Sequence, residues 1–182
     1  SNAAKIEQHI ASAAARITNL GIGSERVNSN ESPHVHIVAG LAGGTGSGMV
    51  IDVMALVKST ISNAKVTAWL VLPSVYKGVD SKIKKLFANG VSALRELNHY
   101  MTNPFEVQYQ EGRDTKVEGL FDHCYMISGY NHQGQSMGNP SLAYQTIGAS
   151  LYILYSSGKL PGFVRSVRIN RFQYLQNDVS FI

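Results

Sequence analysis

The chain has 182 residues, 44% of them apolar, with nine Tyr, six Phe and one Trp, which suffices for one domain with a real core and excludes wholesale disorder. Sixteen Lys and Arg against twelve Asp and Glu leave a net charge of +4, and charged residues make up 15%, below the roughly 25% of an ordinary soluble domain. The single cysteine, Cys124, excludes a disulfide framework and a multi-thiolate metal site, and no apolar run nears the ~20 residues of a membrane helix. A reducing cytoplasm is therefore the expected compartment. The cations are scattered along the chain, so neither nucleic acid nor membrane is an expected partner.

Ser1-Asn2-Ala3 resembles the scar of a cleaved tag and is set aside. Ile6, Ile10, Ala13, Ala14 and Ile17 fall at helical spacing, which predicts an amphipathic helix from Ala4 to Leu20, stopped by Gly21. The Gly-, Ser- and Asn-rich stretch 22–33 predicts a loop, and His34 to Gly40 a buried strand. Five of the nine residues from Gly40 to Gly48 are glycine, and helical spacing of Val50, Val53, Met54, Val57 and Ile61 follows at once. A strand, a glycine loop and a helix beginning near Met49 are expected.

Lys65 to Leu72 predicts a second core strand, closed by Pro73, and Asp80 to Met101 a long helix that Gly90 weakens. Glu106 to Glu118 reads as strand and loop, and His123 to Gly129 as a third core strand. Asn139-Pro140 offers an N-cap and a first-turn proline for a helix ending at Gly158. Residues 159–182 form a C-terminal extension of the same domain, with room for one more strand. Buried strands alternating with helices imply an α/β fold, a mostly parallel sheet with helices on both faces. Ligands of such sheets gather at the carboxyl ends of the strands, where the glycine loop falls.

A helix N-terminus carries unsatisfied N–H groups and partial positive charge, so a glycine loop leading into it suits an anion. Glycine adds access to positive φ and close approach of phosphate to the main chain; Thr45 and Ser47 add hydroxyls. The loop is no Walker A motif, because Met49 follows Gly48 and the next lysine is Lys58. Nor does it complete a dinucleotide fingerprint from Gly44 or from Gly46, since Met49 or Ile51 stands where the last glycine belongs.

Ala42-Gly43-Gly44-Thr45-Gly46-Ser47-Gly48 resembles, at every position, the signature loop of the tubulin and FtsZ superfamily. Leu70-Val71-Leu72-Pro73 resembles the family's next strand and its proline-bearing, ribose-side loop, and the run Asn89 to Asn98 is similar to a helix of the bacterial tubulin-like branch. The resemblance spans roughly residues 4–158 and implies a tubulin/FtsZ-type nucleotide-binding domain that lacks the family's first glycine loop and first strands. A central piece of a longer protein, truncated at the N-terminus, is thus expected. It further implies that Ala42, Gly43, Gly44, Thr45, Gly46, Ser47 and Gly48 hold the phosphates of GTP or GDP with Mg²⁺, and that Pro73 and Asn131 face the ribose or base. Self-assembly into filaments, with hydrolysis only at a contact between copies, follows from the same likeness. No catalytic residue is assigned: Asn177-Asp178 is too slender a match to the family's acidic, water-activating loop.

Other constellations point elsewhere. Gly134-Gln135-Ser136-Met137-Gly138 fits the nucleophile-elbow pattern and sets a serine hydrolase using Ser136 against the nucleotide reading. An interaction module of the same fold that has lost nucleotide chemistry is the third reading. His34 and His36 share a strand face without an evident third ligand, and Cys124 lies in an apolar run, so both read as structural. Lys82, Lys84 and Lys85, and Arg165, Arg168 and Arg171, read as solvated or subunit-facing surface.

Overall fold

A computed structural model describes residues 2–19, 32–78, 83–110, 113–131, 133–136, 139–156 and 179–181. The helices are α1 (Asn2–Asn19), α2 (Gly44–Thr60), α3 (Ile83–Thr102) and α4 (Pro140–Ser156). The strands are β1 (His34–Gly40), β2 (Lys65–Val71), β3 (Phe105–Gln110), β4 (Arg113–Val117), β5 (His123–Ile127) and β6 (Val179–Phe181). Strands β1, β2, β5 and β6 form one parallel sheet in that order, while β3 and β4 make a separate antiparallel pair. The polar stretch expected as strand and loop is therefore a hairpin.

Strand β2 is the centre of the sheet because six of its seven residues are buried, as a parallel strand covered on both faces requires. Its side chains alternate between two cores. Ala68 and Leu70, with Cys124 of β5, pack under Val50 and Met54 of α2 and Ala93 and Leu97 of α3. Trp69 and Val71, with Ile127 of β5, pack under Ala143 and Ile147 of α4. Helices thus cover both faces, and α1 joins the first layer through Ile10, which packs on Val57, Ala64 and Val66.

At the amino edge of the sheet Asp122 acts as a staple. Its carboxylate accepts hydrogen bonds from Lys58 Nζ and the Val66 amide, both at 2.8 Å, and from Lys65 Nζ at 3.3 Å. Burial alone would raise its pKa, but the bonds from Lys58 and Val66 and the two lysine charges outweigh that and hold it below the ordinary carboxylate value. The α4 N-terminus is built as its sequence implies: Asn139 Oδ1 accepts the Ser141 amide at 2.9 Å, with Pro140 in the first turn.

Candidate functional site

The register places three loops side by side. Gly40 of β1 pairs with Val71 of β2, and Val71 pairs with Ile127 of β5, so residues after 40, 71 and 127 leave the carboxyl edge at one level. Those loops carry the glycine motif, Pro73 and Asn131.

The glycine motif is more helical than its sequence suggests. Helix α2 begins at Gly44, with Gly43 as N-cap at φ −90° and ψ 151°, so Thr45 to Gly48 form its first turns and not a loop ending near Met49. None of the motif's glycines has positive φ; among the described residues that conformation belongs to Gly78, Gly119 and Gly134. Glycine is required here for space. A Cβ on Gly46 would stand 2.2 Å from the Gly40 carbonyl oxygen, so only glycine lets α2 seat this closely on the end of β1. At Gly43, Gly44 and Gly48, by contrast, a Cβ would meet nothing within 4 Å.

The main-chain donors divide accordingly. An α-helix leaves its first four N–H groups without intrahelical carbonyls, here those of Gly43, Gly44, Thr45 and Gly46, and no side chain caps them. The Ser47 amide is already engaged, donating to the Gly43 carbonyl at 3.1 Å, and the Ser47 hydroxyl donates to the same oxygen at 2.8 Å. Four amides, and the exposed Thr45 hydroxyl, are what this turn offers an anion.

The turn is held from beneath. Leu41 is fully buried and its amide donates to the Val71 carbonyl at 2.9 Å, while Asn89 Nδ2 of α3 donates to the Ala42 carbonyl at 2.9 Å. The neighbouring Gly90, which reads as a weakness in the helix, is a packing requirement: a Cβ there would stand 2.4 Å from Pro73 Cγ. Pro73 is buried and opens a 3₁₀ turn, Pro73–Tyr76. Its ring thus supports α3 beneath the glycine turn, and the bracing residues Asn89 and Gly90 were legible only as part of a helix motif.

The other two loops are tied together. The Gly129 amide donates to Ser74 Oγ at 3.0 Å, and a Cβ on Gly129 would stand 2.3 Å from the Ser74 carbonyl oxygen. Asn131 is exposed, but its side chain organises its own turn: Oδ1 accepts the amides of Gln133 and Gln135 at 3.0 and 2.9 Å, and Nδ2 donates to Gln135 Oε1. Lys77 Nζ lies 5.3 Å from the centre of the Tyr130 ring. Tyr76 and Tyr144 of α4 share a hydroxyl hydrogen bond, and the Tyr76 hydroxyl is 3.9 Å from where a Gly40 Cβ would be. Burial first, then the Tyr144 bond and charge, push the Tyr76 pKa up to about 12.

The remaining candidates fall outside this arrangement. Ser136 sits in an exposed loop bridged to Tyr130, nine residues after β5 ends at Ile127 and four before α4 opens at Pro140, so it is not at a strand-to-helix elbow. Met137 and Gly138 of that pattern lie outside the described residues. His36 Nδ1 accepts from Trp69 Nε1 at 3.0 Å and its ring packs edge-on against Tyr155. No cluster of three or more metal-ligating side chains occurs among the described residues. Burial pushes the Cys124 thiol up to about 12, which suits a core residue and not a nucleophile. Lys84 and Lys85 are exposed on α3, whereas Lys82, Arg165, Arg168, Arg171, Asn177 and Asp178 lie outside the described residues.

The family model described as "Tubulin like" matches residues 1–177. The chain belongs to the tubulin-like family. Neither a curated protein nor a solved structure matches it. In this tubulin-like chain, the parallel sheet flanked by helices is the nucleotide-binding type of fold that the resemblance implies. No helix among the described residues is long and apolar enough to cross a membrane.

Proposed function

We propose that this chain is the GTP-binding core of a filament-forming, tubulin-like GTPase of the bacterial branch, acting in the cytoplasm. The observation that carries the reading is the first turn of α2. Four amides without intrahelical partners converge with the positive end of the helix dipole, and Gly43 and Gly44 leave open space where side chains would stand. A phosphate group fits that geometry, since its oxygens accept several N–H bonds at once and need the close approach that only bare main chain permits.

Within residues 42–48, the amides of Gly43 to Gly46 and the Thr45 hydroxyl would bind the phosphates. Ala42 and Ser47 shape the turn through their own bonds, Gly46 by its fit on Gly40. Magnesium would be held by phosphate oxygens and water, with no carboxylate cluster of this chain required. The loops opening at Pro73 and Asn131 border the same edge and would take the ribose and base, Asn131 by exchanging its present turn contacts for the ligand. Hydrolysis belongs to the assembled state, where a second copy completes the site.

Calorimetric titration of GTP, with light scattering to follow assembly, tests the reading. Binding that requires Mg²⁺ and precedes assembly supports it. Assembly without any nucleotide binding would instead favour an interaction module that keeps the fold, and ester turnover lost in Ser136→Ala would favour a hydrolase.

A further inference from the structure

Trp69 is the single tryptophan of the chain, and at 4% exposure its indole N–H must find an acceptor inside the fold. That acceptor is an imidazole: Nε1 of Trp69 donates to His36 Nδ1 at 3.0 Å. An indole nitrogen donates and never accepts, so this bond exists only while Nδ1 carries no proton. The neutral His36 ring therefore holds its proton on Nε2.

The indole is locked in place. It stacks on Tyr125 of β5, with ring centres 4.5 Å apart and planes 27° from parallel, and it belongs to the core under α4. His36 is half-buried on β1, and its ring also meets Tyr155 in the last turn of α4, with centres 5.5 Å apart and planes at 75°. One imidazole thus connects the first strand, the central strand and the end of a helix. A proton arriving at Nδ1 sets two N–H donors face to face. Because the stacked indole is fixed by its own packing, the imidazolium is the ring that moves, and Tyr155 loses the surface against which it packs. We infer that His36 is a pH-sensitive latch: neutral, it holds the last turn of α4 against β1, and protonated, it releases that turn.

The described titratable and charged groups around the latch come from four elements. Tyr125 and Tyr155 bring phenols, whose ordinary ionisation near 10 lies far above that of imidazole near 6.5. His123 of β5 shares the cross-strand row of His36, with Thr67 between them, and Lys65 of β2 pairs with His34 one row nearer the amino edge. Asp122 is engaged by Lys58, Lys65 and the Val66 amide and, its pKa being lowered, changes charge only below about 4. Helix α4 itself carries no charged residue. His34 and His123 are therefore the two groups whose titration must be separated from that of His36. The latch lies four residues, about 13 Å, before Gly40 along β1 and does not rest on the nucleotide reading.

Proton–nitrogen correlation NMR reads the latch at one resonance, since the chain has one indole N–H. Between pH 8 and pH 5 that proton should move upfield through one transition in the imidazole range, as its hydrogen bond is lost. Amide protection of residues 152–156 should fall about tenfold or more over the same range, relative to residues 143–147. His36→Gln offers Trp69 an amide oxygen that does not titrate, so both changes vanish there, whereas His34→Gln and His123→Gln keep them. Should His36→Gln lose its fold, the ring nitrogen shifts of His36 in the parent decide. A bare Nδ1 at pH 8 that gains its proton in the same transition supports the latch, and a proton on Nδ1 at pH 8 overturns it. An indole signal constant from pH 8 to pH 5 overturns it as well, as does a transition that survives in His36→Gln or disappears in His34→Gln or His123→Gln. An indole transition that leaves residues 152–156 protected overturns it too, because His36 then titrates without releasing α4.

Discussion

Gly46→Ala and Gly48→Ala are the same chemical change two residues apart in one helix, and the structure gives them opposite signs. At Gly48 the new methyl meets nothing within 4 Å, so the variant gains the helix propensity of alanine over glycine, about 1 kcal/mol. For a domain of this size that raises Tm by roughly 2–4 °C. At Gly46 the methyl would stand 2.2 Å from the Gly40 carbonyl oxygen, where ordinary contact begins at 3.4 Å, so the start of α2 must shift by about 1 Å. Overpacking of this kind costs ~1–3 kcal/mol, and a contact this short against backbone lies at the upper end, so after the same propensity gain a net loss of up to ~2 kcal/mol remains. Urea unfolding followed by circular dichroism reads both, as midpoint shifts of opposite direction at unchanged slope. If both variants are stabilised, Gly46 is not seated on Gly40 and the close junction of β1 with α2 is wrong.

Gly90→Ala should lower stability by up to ~2 kcal/mol in the same assay, despite better helix propensity, because its methyl would stand 2.4 Å from Pro73 Cγ. Asp122→Asn should cost ~1–3 kcal/mol by removing charge-assisted bonds from Lys58 and Lys65. The lowered pKa of Asp122 means its stabilisation is complete above the ordinary carboxylate range and is lost as pH falls below about 4. Acid unfolding of the Asn variant should therefore show a shallower loss there than the parent. Tyr76, whose pKa is raised to about 12, stabilises the fold fully below the ordinary value of 10 and loses that contribution as pH rises from there towards 12. Spectrophotometric titration of Tyr144→Phe should show one phenol fewer and Tyr76 moved back towards 10; loss of that phenol with Tyr76 unmoved would mean that Tyr144 has no part in raising it.

Much of the architecture was legible in the residues. Strand β2 is a continuous apolar run because both its faces are buried, and Asn139-Pro140 marks the start of α4 because an N-cap and a first-turn proline have local causes; β1, which reads as a buried strand, is instead the sheet's edge, with no fully buried residue and Val38 half exposed. What escaped depends on distant partners. Glycine's poor helix propensity placed the start of α2 five residues late, since the reason for Gly46 is the backbone of β1. Gly90 likewise looks like a flaw until Pro73 is set beside it. At the candidate site the motif's identity was readable, but the division of its amides was not. Whether an amide is open or engaged depends on where the helix begins, and Asn131 can form a turn or contact a ligand with the same side chain.

GTP titration of the parent and of Gly44→Leu shows whether the bare first turn of α2 seats a triphosphate. A Cβ at Gly44 meets nothing within 4 Å and the residue is exposed, so the variant should stay folded, with an unfolding midpoint no lower than the parent's. The parent should bind GTP saturably and with Mg²⁺ dependence, and the variant should bind it about tenfold or more weakly. Equal GTP affinity in the two folded proteins would contradict it.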